Sequence, residues 1–97
     1  MKTYVVTGGA TGIGRATALR LAAPDTAIAV VYSRSADAAR ETVSACERRG
    51  ARALALAADV SNDDACRAAA RAVRDAFGDG LDGLVNNAGV TRFAPAG

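Results

Sequence analysis

Apolar residues recur along this chain with two alternating rhythms. Tyr4-Val5-Val6-Thr7 is a short apolar run ended by glycines, which predicts a buried strand. From Gly14, Ala16, Ala18, Leu19, Leu21 and Ala22 predict a helix that Pro24 stops. Ala27 to Tyr32 is a continuous apolar run, β-branched at its centre, and predicts a second strand. Ser35 can cap a second helix whose apolar positions Ala39, Val43 and Cys46 follow helical spacing. Arg48 and Arg49 suit the dipole of its last turn, with Gly50 just past the end. Ala53 to Ala58 predicts a third strand. Ser61 and Asp64 then resemble a capping box with Asp in place of Glu. Cys66, Ala69, Ala70, Val73 and Phe77 mark one face of a third helix ending at Gly78, and Leu81 to Asn86 predicts a fourth strand.

Apolar strands joined by helices imply parallel pairing through right-handed crossovers. Stepping from strand one to two to three in one direction puts the first two helices on one face. A fourth strand returning beside the first lets the third helix cover the other face. The predicted fold is α/β, a partial Rossmann-type parallel sheet of strand order 3-2-1-4 with helices on both faces. Such sheets bind ligands outside the carboxyl ends of the strands where the order reverses. Those ends, on strands one and four, carry TGGATGIG and NNAG.

Composition narrows the function classes. The chain has 97 residues, enough for one core, and is 51% apolar and 23% charged with a net charge of +2. Much of the apolar share is alanine, so core side chains are small. A balanced charge with scattered arginines argues against nucleic acid as a partner. The apolar run after Met1-Lys2-Thr3 is too short for a signal or a membrane span, and a cytoplasmic protein without membrane attachment is expected. Cys46 and Cys66 stand in helical contexts with no CxxC and no histidine anywhere. A zinc site or disulfide is therefore not expected, and both thiols are read as buried in a reducing compartment.

Thr7-Gly8-Gly9-Ala10-Thr11-Gly12-Ile13-Gly14 follows a strand and opens a helix. Glycines let a backbone turn tightly and approach a ligand, and a helix N-terminus offers free N–H groups to a pyrophosphate. The same glycines can serve a tight strand-to-helix turn for structural reasons alone. The loop is not an ATPase P-loop, because Arg15 follows Gly14 and the loop holds no lysine.

TGGATGIG, Asp59-Val60 after the third strand and NNAG after the fourth together resemble the short-chain dehydrogenase/reductase family, particularly its 3-oxoacyl-carrier-protein reductase-like members. The resemblance covers essentially the whole chain. It implies that Gly8, Thr11, Gly12, Ile13 and Gly14 surround the cofactor pyrophosphate and its adenosine ribose. Asp59 would accept a hydrogen bond from the adenine amino group, with Val60 beside the ring. Asn86, Ala88 and Gly89 would line the ribose side of the cleft, and Asn87 would lock the fourth strand. Asp59 can equally be a turn residue, and Asn86-Asn87 can be turn formers. At Ala23-Pro24-Asp25-Thr26 the chain departs from the family's usual glycine-centred turn.

The end of strand two discriminates between nicotinamide cofactors, since a carboxylate there repels a 2′-phosphate and an arginine accommodates it. Here it reads Val31-Tyr32-Ser33-Arg34-Ser35, with no acid before Asp37. Ser33 and Ser35 can donate hydrogen bonds and Arg34 can make charge-assisted contacts with a phosphate, so NADP(H) is preferred over NAD(H). Thr11 runs against this, because many NADP-using relatives carry a basic residue there. Family chemistry transfers a hydride between nicotinamide and a carbonyl or hydroxyl carbon, using a Tyr-x-x-x-Lys pair. The tyrosines Tyr4 and Tyr32 and the single lysine, Lys2, form no such pair, so no catalytic residue is assigned. Residues 1–97 are expected to be the N-terminal dinucleotide-binding part of one domain, truncated before the catalytic segment and inactive by itself. A small carbonyl or alcohol substrate and a homotetramer are expected only of a full-length form. With strand four left as an edge, the isolated chain is expected to be marginally stable. The alternative is a stand-alone or non-functional dinucleotide-binding fragment without catalysis.

Overall fold

In the computed structural model, which describes residues 1–8, 10, 12–59, 61–78 and 80–86, strands and helices alternate. The order is β1 (Lys2–Thr7), α1 (Gly12–Leu21), β2 (Thr26–Tyr32), α2 (Ala36–Arg48), β3 (Arg52–Ala57), α3 (Asp63–Phe77) and β4 (Leu81–Asn86). The strands form one parallel sheet of order β3-β2-β1-β4, the arrangement the alternation predicts.

Side chains alternate across the sheet, so each face has its own packing. Val6, Ile28 and Val30 point to the side where α1 and α2 lie, and pack there with Ala18, Ala39 and Cys46. The alanines and the thiol let both helices approach closely. Val5, Val31 and Leu84 lie on the other face, where with Ala69 and Val73 of α3 they border a groove of about 490 Å³. Leu81 and Leu84 remain 55% and 62% exposed along β4.

The register between β1 and β4 carries an irregularity. Thr3 lies opposite Leu81 but Tyr4 lies opposite Gly83, so Asp82 is an extra residue in the pairing. A bulge of this kind disrupts the ladder locally. Here the Asp82 carboxylate accepts the Thr3 N–H at 2.8 Å. The skipped residue also advances the rest of β4 by one position, which brings Asn86 opposite Thr7.

Several local details differ from the sequence reading. Helix α1 begins at Gly12 and closes at Leu21, ahead of Pro24. In the turn that follows, Asp25 takes the left-handed conformation (φ 71°) that glycine usually fills, which Asp tolerates better than most residues. The Thr26 hydroxyl holds that turn, accepting the Ala23 N–H at 2.9 Å and donating to the Ala23 carbonyl at 2.6 Å. Ser35 occupies the N-cap position of α2 but makes no side-chain capping bond. Gly50 (φ 93°) does end that helix as expected: its N–H donates to the Glu47 carbonyl, and the Ala51 N–H to that of Cys46. The cap of α3 is Asn62, whose Oδ1 accepts the Ala65 N–H at 3.0 Å, and not Ser61. Ser61 is drawn away because its N–H and hydroxyl both donate to Asp59. Cys46 is fully buried, whereas Cys66 is only partly buried, because it faces the groove beside α3.

Candidate functional site

The carboxyl ends of all four strands finish in a row. Thr7 lies opposite both Val31 and Asn86, and Tyr32 opposite Ala57. Backbone bonds carry the pairing one step further: the Gly8 N–H donates to the Val31 carbonyl and the Ala58 N–H to that of Tyr32, both at 2.9 Å. Gly8, Ser33, Asp59 and Asn86 are thereby gathered on a single rim, at the point where the strand order reverses between β1 and β4.

Gly8 and Gly12 adopt φ of 66° and 60°, values that side chains rarely tolerate. A Cβ at Gly12 would meet nothing within 4 Å, so it is the backbone conformation that calls for glycine, and the space beside it is open. Gly14 is buried, while Ile13 next to it is 77% exposed. The first turn of α1 contains no acidic residue, so nothing on the helix neutralises the positive end of its dipole. These features fit an anion such as a pyrophosphate at the turn.

At the end of β2, Ser33 and Arg34 are exposed. Among the described residues no carboxylate forms an ion pair with Arg34; Arg15, by contrast, lies 3.7 Å from Glu41. Asp59 is exposed, and its Oδ1 accepts the Ser61 hydroxyl at 2.6 Å and the Ser61 N–H at 2.9 Å. The two bonds from Ser61, the hydroxyl's first, hold the Asp59 carboxyl below the usual carboxylate range. The turn role that the sequence left open for Asp59 is thus present, and no described residue bonds its Oδ2. The remaining residues singled out from the motifs, Thr11, Val60, Asn87, Ala88 and Gly89, lie outside the described residues.

Two threonines that the motif reading did not single out help build this rim. The Thr7 hydroxyl donates to Asn86 Oδ1 at 2.8 Å, fixing the side-chain amide at the end of β4. Its position as the first residue of TGGATGIG was the available signal. Thr42 of α2 is fully buried and its hydroxyl reaches the Ala10 carbonyl in the glycine turn at 3.3 Å. Its only sequence signal was a polar residue three positions after Ala39, on the face that packs inward. Among the described residues, no three or more His, Cys, Asp or Glu side chains gather where they could hold a metal ion. No helix among them is long and apolar enough to cross a membrane.

Comparison with known proteins agrees with this fold. The family model described as short chain dehydrogenase matches residues 2–97. The chain is 43% identical over 94 residues to the short-chain dehydrogenase/reductase homolog YusS of Bacillus subtilis (strain 168), covering 97% of this chain and 85% of that protein. It is 41% identical over 91 residues to the 3-oxoacyl-[acyl-carrier-protein] reductase FabG of Staphylococcus aureus (strain Mu50 / ATCC 700699), covering 94% of this chain but 37% of that one. A crystal structure of a short chain dehydrogenase from Burkholderia cenocepacia J2315 in complex with NADP superposes with a TM-score of 0.85 at 48% identity, over 94% of this chain and 37% of that one. The chain therefore spans most of YusS and a little over a third of the other two. Fold and family match converge: the chain belongs to the short-chain dehydrogenase family.

Proposed function

We propose that this chain binds a nicotinamide dinucleotide along the carboxyl rim of its sheet, as the cofactor-binding part of a short-chain oxidoreductase. The observation that carries the reading is the convergence of Gly8, the start of α1, Ser33-Arg34, Asp59 and Asn86 on one rim at the β1/β4 switch point. The relative crystallised with NADP supports the class of ligand.

In this reading the glycine turn and the start of α1 hold the pyrophosphate through backbone N–H groups. Arg34 and Ser33 approach the adenosine 2′-position, where an exposed guanidinium that no described carboxylate pairs favours a phosphate over a hydroxyl. NADP(H) is the preferred cofactor over NAD(H). Asp59 keeps Oδ2 for the adenine amino group while Ser61 fixes the other oxygen, and Asn86, steadied by Thr7, lines the ribose side. The bound nicotinamide supplies hydride transfer to or from a carbonyl or alcohol carbon. Since no Tyr-x-x-x-Lys occurs in these 97 residues, they bind and orient the cofactor without turning a substrate over. The substrate would be a carbonyl compound of the 3-oxoacyl class, handled by a longer enzyme acting as a homo-oligomer in the cytoplasm.

The match to 85% of YusS favours a second reading, a dinucleotide-binding chain that works without catalysis of its own. Both readings require binding. Fluorescence titration with NADPH and NADH tests them together: NADPH should bind about tenfold more tightly than NADH, and Arg34→Ala should erase the difference. Tighter binding of NADH would overturn the cofactor preference. Oxidation of NADPH by this chain with a 3-oxoacyl substrate would overturn its inactivity.

A further inference from the structure

Behind the rim, one buried hydroxyl reaches the glycine turn. Thr42 sits in the middle of α2 with no exposed surface. Its hydroxyl lies 3.1 Å from the Ala38 carbonyl, one helical turn back, and 3.3 Å from the Ala10 carbonyl in the glycine turn. The first contact is the ordinary local bond of a helical threonine. The second crosses to residue 10, between two glycines in left-handed conformations. Such a turn is permissive by composition, so it needs an outside contact to hold one shape. The Thr42 hydroxyl therefore holds the Ala10 carbonyl toward α2.

We propose that Thr42 is a positioning residue: its hydroxyl preorganises the glycine turn for a pyrophosphate. The inference rests on the dinucleotide reading above. Thr42 touches no ligand and acts through the backbone of the turn. Removing its hydroxyl leaves the Ala10 carbonyl without this donor, and part of the binding energy must then go into ordering the turn.

The test compares the full chain with Thr42→Val, which keeps the shape, and Thr42→Ser, which keeps the hydroxyl. Each is titrated with NADPH and with adenosine 2′-monophosphate, which carries the 2′-phosphate but no pyrophosphate. Thr42→Val should weaken NADPH binding about three- to tenfold and leave adenosine 2′-monophosphate binding unchanged. Thr42→Ser should bind NADPH close to wild type. Equal losses for both ligands, no loss for either, or a serine variant as weak as valine would overturn the proposal. Amide exchange of the ligand-free protein separates it from the reading beneath it. If wild type fails to bind NADPH, the dinucleotide reading falls. Faster exchange at Gly8, Ala10 and Gly12 in Thr42→Val would still establish the tether, and unchanged exchange there would remove it.

Discussion

Tyr4 of β1 lies directly opposite Gly83 of β4, and its ring occupies the space a side chain at position 83 would need. A Cβ built there would come within 2.8 Å of Tyr4 Cδ1 and 3.1 Å of Cε1. The aromatic ring thus covers the bare backbone of the edge strand, a cross-strand pairing in which one partner is glycine by necessity. Gly83→Ala should cost about 1–3 kcal/mol through overpacking. Chemical denaturation measures it, and Tyr4→Ala in the same chain should remove most of the penalty. Additive losses in the double variant would show that the ring is not the obstacle.

The bulge at Asp82 links stability to the rim. Its carboxylate accepts the Thr3 N–H, and its extra residue sets the register that puts Asn86 beside Thr7. Asp82→Ala should destabilise the chain by about 1–3 kcal/mol, as expected for a lost bond to a charged acceptor. Exchange of the Thr3 amide should rise, while Asp82→Asn keeps an acceptor oxygen and part of the protection. Unchanged protection of Thr3 in Asp82→Ala would place its acceptor elsewhere.

The two cysteines should behave differently toward thiol reagents. Burial pushes the Cys46 thiol up, outweighing the opposing pull of Arg49. A thiol raised in the folded state contributes stability that is complete below its unfolded pKa and is lost as pH rises through the folded value. Cys66, partly buried beside the groove, should be alkylated by iodoacetamide in the native protein. Cys46 should react only on unfolding. Mass spectrometry of the labelled sites checks the order, and equal rates would contradict the packing of α1 against α2.

Asp59 titrates in the opposite sense. Its lowered folded-state pKa means a contribution present above the unfolded carboxylate value and lost as pH falls through the folded one. Carboxyl NMR titration should place Asp59 below an ordinary aspartate. Ser61→Ala should move it back up, and an unmoved titration would mean that Ser61 does not hold the carboxylate.

How much of this was readable from the residues varies with the reach of each interaction. The strand order followed from four apolar runs and the sides their connecting helices must take, since parallel crossovers leave few choices. Helix ends were less secure: Ser61 and Asn62 can both cap α3, and only the competing carboxylate of Asp59 decides between them. The motifs located the rim through Gly8, Gly12, Ser33, Arg34, Asp59 and Asn86. They could not show Thr42 reaching Ala10, because that contact joins residues 32 apart and has no periodic signature. Nor could alternation show that Asp82 is skipped, since a bulge changes the register without changing the apolar pattern.

The central claim is that a nicotinamide dinucleotide binds along the rim at the β1/β4 switch point. Backbone NMR of the labelled chain titrated with NADPH tests it most directly. The predicted result is saturable binding with the largest shifts at Gly8, Gly12, Gly14, Ser33, Arg34, Asp59 and Asn86. No binding below millimolar concentrations, or shifts centred on Ala69, Val73 and Leu84 in the groove beneath α3, would contradict it.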